Sequence, residues 1–234
     1  MRIGIIGAGR LGSLLARYFA KRHDVKVHDV RPAKSSASLA QACAQDVVIP
    51  CVPIGEFETA IKKMSPLLRP GSLVVDVCSV MEHPVRVMKK RLPRSIQLLA
   101  THPNFGPDSA AESMEGRKII VSRVRVKGPL YPAFKRALRE YGLVIVEMSP
   151  AAHDKKAAES LVLTHFIGRA LIGLGSKTTG IDTEGYRRLL RILQTVQNDS
   201  WELFEDMNRY NAYAAPMRRR LLRVMKEIDR KVAR

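Results

Sequence analysis

Short apolar runs alternate with stretches of helical periodicity along the first two thirds of the chain. The stretches 10–22, 55–67 and 82–92 repeat their apolar positions with the period of an α-helix. Buried strands that alternate with helices form a mostly parallel sheet, which predicts an α/β domain. The apolar runs are rich in β-branched residues, as strands are: RIGII, DVKVHD, DVVIPCV, SLVVDV, IQLLA, KIIVS and LVIVEM.

The alternating pattern ends at residue 148. Ser149 is a good N-cap and Pro150 suits a first helical turn, so a long helix is predicted to begin there. We therefore predict two domains: an α/β domain over residues 1–148 and an all-helical domain over residues 149–234.

The helical domain carries more apolar surface than its size can cover. Its first helix is apolar on most sides towards Gly175, and such a helix is buried by other helices. From Tyr186 onward the pattern is helical, with breaks near residues 198–200 and near Pro216. Because a domain this small does not bury its first helix alone, we expect a homodimer formed through the helical domain.

Charge narrows the choice of partner. The 234-residue chain has a formal net charge of +18, and residues 217–234 contain eight basic and two acidic residues. Apolar residues recur there at helical spacing, which predicts an amphipathic helix with a solvated basic face. Aromatic residues make up only 6% of the chain, and no nucleic-acid-binding motif is present. A nucleic-acid partner is therefore disfavoured, and small anionic substrates are expected.

The three cysteines, Cys43, Cys51 and Cys78, lie in or beside apolar runs without CxxC spacing. They predict reduced thiols in a cytoplasmic protein rather than disulfides or a metal site. No apolar run is long enough to cross a bilayer. Since the first residues already have the pattern of a strand, we expect neither a targeting segment nor a membrane partner.

A glycine-rich turn joins the first predicted strand to the first predicted helix. Gly7, Gly9 and Gly12 have the spacing GxGxxG. The first glycine permits a tight turn, the second lets a pyrophosphate approach, and the third lets the helix pack on the strand. The helix N-terminus then faces the phosphates. The first domain is therefore predicted to be a Rossmann-type dinucleotide-binding domain.

The second strand ends at Asp29, where a carboxylate that binds the adenosine ribose is expected. Asp29 favours NAD, because a carboxylate accepts from the ribose 2′-hydroxyl and repels a 2′-phosphate. Arg31, Lys34, Ser35 and Ser36 follow at once and are candidates for binding that phosphate, or for a solvated helix start. The choice between NAD and NADP therefore stays open.

A histidine follows the fifth predicted strand. His102 is expected on a loop held by Pro103, Gly106 and Pro107. Ser79 ends the preceding strand at the same carboxyl edge, where cofactor and substrate meet in such sheets. A histidine there can take a proton from a hydroxyl while hydride leaves the carbon that carries this hydroxyl. We expect the pKa of His102 to be about 6.5.

Six sequence blocks point to one protein family: HPNFGPDS, which is the most specific, with GAGRLG, CVP, DVCSV, AAHDKKAAESLVLTHFIGRAL and GYRRLLRILQTVQNDSWELFEDMNRYN. They resemble the prephenate and arogenate dehydrogenases of tyrosine biosynthesis. The resemblance covers nearly the whole chain, and its helical half is most similar to the plant-type arogenate enzymes. It implies that His102 is the catalytic group and that Ser79 assists it at the ring hydroxyl.

The resemblance implies oxidative decarboxylation of arogenate or prephenate, to tyrosine or 4-hydroxyphenylpyruvate, with hydride transfer to NAD or NADP. The histidine takes the proton of the C4 hydroxyl, carbon dioxide leaves from C1, and the ring becomes aromatic. The blocks GAGRLG and CVP imply dinucleotide contacts, and Asp29 and Arg31 after the second strand complete the predicted site. Its residues are Gly7, Gly9, Arg10, Leu11, Gly12, Asp29, Arg31, Cys51, Val52 and Pro53.

Three positions depart from the family pattern. Met81 stands where a lysine that faces the substrate is usual, and Ala152 stands where a glutamate often precedes His153. Gln194 stands where many bacterial enzymes have an arginine that grips a carboxylate. These departures bear on the substrate more than on the type of reaction. We expect His153 to be a structural residue at the start of its helix.

Other side chains are candidates for binding the substrate. Arg187 and Arg191 are four residues apart and share a helix face, which is alternatively a solvated surface. His165 lies in the apolar middle of the first long helix, where a packed, hydrogen-bonded histidine is the simpler interpretation. The resemblance, however, places a histidine near the substrate at that position.

Two other functions fit parts of the sequence. A reductase of the same two-domain design, acting on imines or β-hydroxy acids, would share the glycine turn but not the histidine block. A non-catalytic dinucleotide-binding regulator would explain the changes at Met81, Ala152 and Gln194, but not the presence of both Ser79 and His102.

Overall fold

The computed structural model describes residues 1–233. Within them the chain forms two compact units, Met1–His153 and Asp154–Arg234. The division lies inside the helix that was predicted to begin the second domain. The functional boundary after residue 148 stays a prediction.

The first unit is built on one sheet. Within residues 1–233 it has seven strands in the order β2-β1-β3-β4-β5-β6-β7. Every neighbouring pair is parallel except β5 and β6. The predicted mostly parallel, Rossmann-type sheet is therefore confirmed. The strands are β1 (Arg2–Ile6), β2 (Asp24–His28), β3 (Val47–Pro50), β4 (Leu73–Asp76), β5 (Gln97–Pro103), β6 (Lys118–Arg125) and β7 (Val144–Glu147).

Helices cover both faces of the sheet. On one face, Leu14 and Leu138 join Ile5 in a common core. On the other face, Gly4 lets a helix approach, since a Cβ there would lie 1.8 Å from the carbonyl oxygen of Ala42. The helices of this unit are α1 (Arg10–Phe19), α2 (Leu39–Cys43), α3 (Phe57–Met64), α4 (Glu82–Arg91) and α5 (Leu130–Glu140).

Strand β5 is longer than the sequence predicted. It continues through His102, which pairs with Ile120 of the antiparallel strand β6, and ends at Pro103. The expectation that His102 lies on a loop is therefore wrong. The apolar run ends at Ala100, but the ladder with β6 supplies hydrogen bonds that keep the next residues extended.

A long helical segment follows β7. It begins at Pro150 as predicted, with the Ser149 hydroxyl accepting a 3.3 Å hydrogen bond from the Ala152 N–H. The segment comprises α6 (Pro150–Ala157), a π-helical turn (Ala158–Val162) and α7 (Leu163–Gly173).

The second unit contains three further helices: α8 (Glu184–Val196), α9 (Trp201–Arg209) and α10 (Ala214–Val232). Val162, Met207 and Ala214 form its small buried core. The helical pattern is interrupted between Arg209 and Ala214, so the break predicted near Pro216 is confirmed. Pro216 itself lies in the first turn of α10, where the missing N–H has no helical partner. None of the helices within residues 1–233 has the length and apolar character that crossing a bilayer requires.

Candidate functional site

The glycine turn connects β1 to α1, and one of its three glycines has free space beside its Cα. Gly7 has φ of +105°, and a Cβ on it would lie 2.3 Å from the Cys51 carbonyl oxygen. A Cβ on Gly12 would lie 2.0 Å from the Gly7 carbonyl oxygen. Around Gly9, in contrast, a Cβ would meet nothing within 4 Å. Two glycines therefore keep the turn tight, and the third leaves the space that a pyrophosphate needs.

The first turn of α1 carries the next two predicted residues. Arg10 begins the helix, and its Nη2 lies 2.5 Å from Oδ1 of Asp108, which belongs to the segment after β5. Leu11 packs against the core. Since the cap residue Gly9 has no side chain to bind the first N–H groups, this helix end suits a phosphate.

The segment after β3 borders the same turn. The Cys51 N–H donates to the Ile6 carbonyl at 2.7 Å, and Val52 Cγ1 would lie 3.4 Å from a Cβ on Gly7. Pro53 is exposed and begins the next turn. Burial raises the pKa of the Cys51 thiol to about 12, so it stays protonated. Among residues 1–233 no group of three or more His, Cys, Asp or Glu side chains is arranged to hold a metal ion.

Asp29 follows β2 and is buried. Its Oδ2 accepts a 2.6 Å hydrogen bond from the Ala8 N–H, and its Oδ1 accepts from Nε of Arg31 at 2.8 Å. The Arg31 side chain, and then the N–H groups of Arg31 and Ala8, hold the pKa of Asp29 far below its usual range. Asp29 is therefore a permanent negative charge beside the glycine turn.

The candidates for a 2′-phosphate lie in the following segment. Ser35 Oγ accepts from the Asp29 N–H at 2.9 Å, and Ser36 Oγ accepts from the Val27 N–H at 3.0 Å. Lys34 is exposed at the end of a short turn. Both serines thus bind the backbone near Asp29.

His102 lies at the carboxyl end of β5, buried, with its ring against a second histidine. Its Nδ1 is 2.8 Å from Nε2 of His153, and the two rings are perpendicular. Burial, and to a smaller extent His153, lowers the pKa of His102 to about 3. The expected value near 6.5 is therefore wrong: the ring is neutral over the physiological range because this site excludes the water that would stabilise its charge.

Ser79 follows the neighbouring strand at the same edge. Asp76 of β4 pairs with Ala100 of β5, and the Thr101 hydroxyl donates to the Asp76 carbonyl at 2.6 Å. The two strands thereby bring Ser79 and His102 to one end of the sheet. The Ser79 hydroxyl is buried and has no hydrogen-bond partner among residues 1–233, and a substrate hydroxyl would satisfy it.

Sequence reasoning missed the contact made by His153. This residue lies in the first turn of α6, where its N–H donates to the Ser149 carbonyl at 3.0 Å. The Ser149-Pro150 start signal fixes the helix, but only the fold brings its fourth residue to His102. Met81, which replaces the lysine usual in the family, is fully buried.

The second unit holds the predicted substrate residues. His165 is buried on α7, its Nε2 lies 3.6 Å from Oδ2 of Asp199, and burial lowers its pKa. Arg187 and Arg191 are exposed on α8 and both face Glu184, at 3.6 and 3.7 Å. They share a face as predicted, and their role towards a substrate stays a prediction.

Comparison with known proteins agrees with this arrangement. A family model described as the prephenate dehydrogenase nucleotide-binding domain matches residues 18–130, and a TYRAAT1-like C-terminal domain matches residues 170–234. Arogenate dehydrogenase 2 of Arabidopsis thaliana is 32% identical, over 94% of this chain and 67% of that protein. Arogenate dehydrogenase 1 of the same plant is 31% identical, over 92% of this chain and 36% of that protein.

A solved structure shows the same fold. Prephenate dehydrogenase from Aquifex aeolicus, in complex with hydroxyphenyl propionate and NAD⁺, superposes with a TM-score of 0.76 at 20% identity, over 100% of this chain and 92% of that chain. The chain belongs to the prephenate and arogenate dehydrogenase family. It spans about two thirds of one plant relative and about a third of the other.

Proposed function

We propose that this protein catalyses the oxidative decarboxylation of arogenate or prephenate with a nicotinamide dinucleotide, giving tyrosine or 4-hydroxyphenylpyruvate. The observation that carries the proposal is the position of a buried, neutral histidine, His102, at the sheet edge that also holds the open glycine turn. Family membership supports the same reaction.

The residues of the glycine turn fit a dinucleotide. The open space at Gly9 and the N-terminus of α1 would take the pyrophosphate, and Asp29 would accept from the ribose. When bound, the nicotinamide supplies a two-electron acceptor for the hydride that leaves C4 of the substrate.

His102 performs the proton chemistry. Its neutral ring takes the proton of the C4 hydroxyl, so that a carbonyl develops as hydride leaves. The buried Ser79 hydroxyl orients the same oxygen. Loss of carbon dioxide from C1 then makes the ring aromatic, which drives the reaction. His165, Arg187 and Arg191 are the proposed cationic or polar partners of the substrate.

We infer that the preferred cofactor is NAD. Asp29 stays ionised, and an ionised carboxylate repels a 2′-phosphate. Arg31, the nearest cation, is bound to Asp29. The names of the two plant relatives favour arogenate as the substrate.

The protein is proposed to be a homodimer. The outer face of α10 exposes apolar side chains, including Met225 and Ile228. Burying them against a second copy of the chain removes this apolar area from water. Sedimentation at micromolar concentration tests the proposal with Ile228→Glu, which should give a monomer, beside Lys231→Glu, which should not. A wild-type monomer would contradict it.

A cytoplasmic location is proposed from the cysteines. Cys43, Cys51 and Cys78 are all free, as in a reducing compartment. Fractionation of the native host, followed by immunodetection in the cytoplasmic fraction, tests the location.

The reaction is tested by measuring reduced nicotinamide with purified protein. Each of the two substrates is offered with NAD and with NADP. We expect turnover with arogenate and NAD that falls at least about 100-fold in His102→Asn. His23→Asn, at the opposite sheet edge, is the matched control and should retain activity. Absence of turnover in all four combinations, or full activity of His102→Asn, would overturn the proposal.

A further inference from the structure

The contact between His102 and His153 constrains the protons of both rings. Nδ1 of His102 and Nε2 of His153 are 2.8 Å apart, and the residues are 8% and 4% exposed. A hydrogen bond between two neutral imidazoles needs one N–H and one bare nitrogen. While both rings are neutral, two arrangements are therefore available to this pair.

The two arrangements differ at the other nitrogen of His102. If His153 donates, the His102 proton is on Nε2, which then has no lone pair to offer a substrate. If His102 donates from Nδ1, its Nε2 is bare and accepts a proton. A base that uses Nε2 requires the second arrangement.

We propose that His153 is a positioning residue that accepts the Nδ1 proton of His102 and so keeps Nε2 bare for the hydroxyl proton of the substrate. The inference rests on the proposed function, since it assigns His102 the role of base. Ser79 and the glycine turn play no part in it.

The local structure gives His153 the rigidity that this role requires. Its backbone N–H donates to the Ser149 carbonyl, and the Ser149 hydroxyl caps the same helical turn through the Ala152 N–H. The backbone that carries the ring is therefore held by the start of α6. With water excluded, a His102 N–H that lost this partner would stay unsatisfied, which favours the ordered pair.

The contact also becomes stronger during the reaction. The substrate O–H bond breaks and an N–H bond forms at Nε2 of His102, which makes that ring an imidazolium. Its Nδ1–H then donates to Nε2 of His153 as a charge-assisted hydrogen bond, which is shorter and stronger than a neutral one. His153 thus stabilises charge that exists only after proton transfer has begun.

Two variants test whether His153 acts as a hydrogen-bond acceptor for His102 or only fills space beside it. His153→Gln keeps an amide oxygen near the position of Nε2, and His153→Leu fills similar space without an acceptor. We expect kcat to fall at least about 100-fold in His153→Leu, with the cofactor Kd unchanged, and to stay within about tenfold in His153→Gln.

Heteronuclear NMR of the ring nitrogens shows which nitrogen of His102 carries the proton. A purely packing role of His153 would not determine this position. In the wild-type protein, His102 should carry its proton on Nδ1, and in His153→Leu the proton should redistribute to Nε2. A wild-type His102 with its proton on Nε2 would overturn the inference even if His153→Leu failed to fold. Wild-type kcat in a folded His153→Leu would also overturn it.

The outcomes distinguish the two proposals. If His102→Asn remains active, the proposed base is wrong and the inference fails with it. If His102→Asn is inactive while His153→Leu is active and retains the Nδ1 proton on His102, only the role of His153 is wrong.

Discussion

The backbone N–H of Ala8 donates a 2.6 Å hydrogen bond to the carboxylate of Asp29. This bond joins the glycine turn to the end of the neighbouring strand β2. One carboxylate therefore holds the turn in place and presents its charge to whatever lies in the turn. The Arg31 side chain, which binds the same carboxylate, adds a cation beside it.

Asp29→Asn should lower the affinity for NAD about tenfold and raise the ratio of NADP to NAD affinity. The amide loses the charge that binds the ribose and repels a 2′-phosphate. Calorimetric titration with both cofactors measures the change. Asp46→Asn, which removes an exposed carboxylate at the opposite sheet edge, should leave both affinities unchanged. An unaltered ratio in Asp29→Asn would contradict the role of its charge.

Gly9→Ala and Gly12→Ala should fail in different ways. A methyl at Gly9 meets no protein atom within 4 Å and the backbone there has φ of −70°, so the protein should fold normally. The methyl would occupy the space for the pyrophosphate and weaken cofactor binding at least about tenfold. A methyl at Gly12 would collide with the Gly7 carbonyl and destabilise the unit by about 1–3 kcal/mol. Thermal melts and cofactor titrations separate the two effects, and equal Tm values would contradict the packing argument.

Asp108→Asn should strengthen cofactor binding by up to about fivefold. Asp108 binds Arg10 in an exposed ion pair, which is worth about 0–1 kcal/mol. Weakening this pair lowers the competition for the Arg10 guanidinium, which can then bind the pyrophosphate more readily. Asp24→Asn also removes one negative charge, but at the start of β2, away from the glycine turn, and is the matched control for net charge. Weaker binding in Asp108→Asn would show that the pair holds Arg10 in a productive position.

The buried His102 should make the protein sensitive to acid. Its pKa is about 3 in the folded state and about 6.5 in the unfolded chain, so the unfolded state binds an extra proton below about pH 6.5. The free energy of unfolding should fall as the pH drops from about 6.5 towards 3, by up to about 1.4 kcal/mol per pH unit. The free energy of unfolding, measured by urea titration at each pH, should fall less steeply with decreasing pH in His102→Asn than in the wild-type protein. Parallel curves for the two proteins would contradict the lowered pKa.

Most of the sheet could be predicted from the sequence because its strands are buried on both faces. The run Val47–Pro50 and residues 73–75 are therefore continuous apolar segments in the sequence. The extension of β5 to His102 could not be predicted in this way. It depends on an antiparallel partner more than a dozen residues later in the chain, and local composition carries no signal for that pairing.

The candidate site also contains features that could be predicted from the sequence and features that could not. Gly7, Gly9 and Gly12 were predictable because their spacing between a strand and a helix is a local sequence motif. The structure shows why Gly7 and Gly12 cannot carry a side chain. The environment of His102 was not, because its pKa reflects burial and a ring contact with His153, which is distant in sequence. For the same reason, a histidine expected to be structural was found against the candidate base.

The protonated thiol of Cys51 has a consequence for how the protein ages. Thiolates rather than thiols react with peroxides and alkylating agents. With a pKa of about 12, the Cys51 side chain is a thiol at neutral pH. Cys43, with a pKa of about 11, is similarly unreactive. The segment after β3, which borders the glycine turn, thus carries a sulfur that is a poor nucleophile at neutral pH.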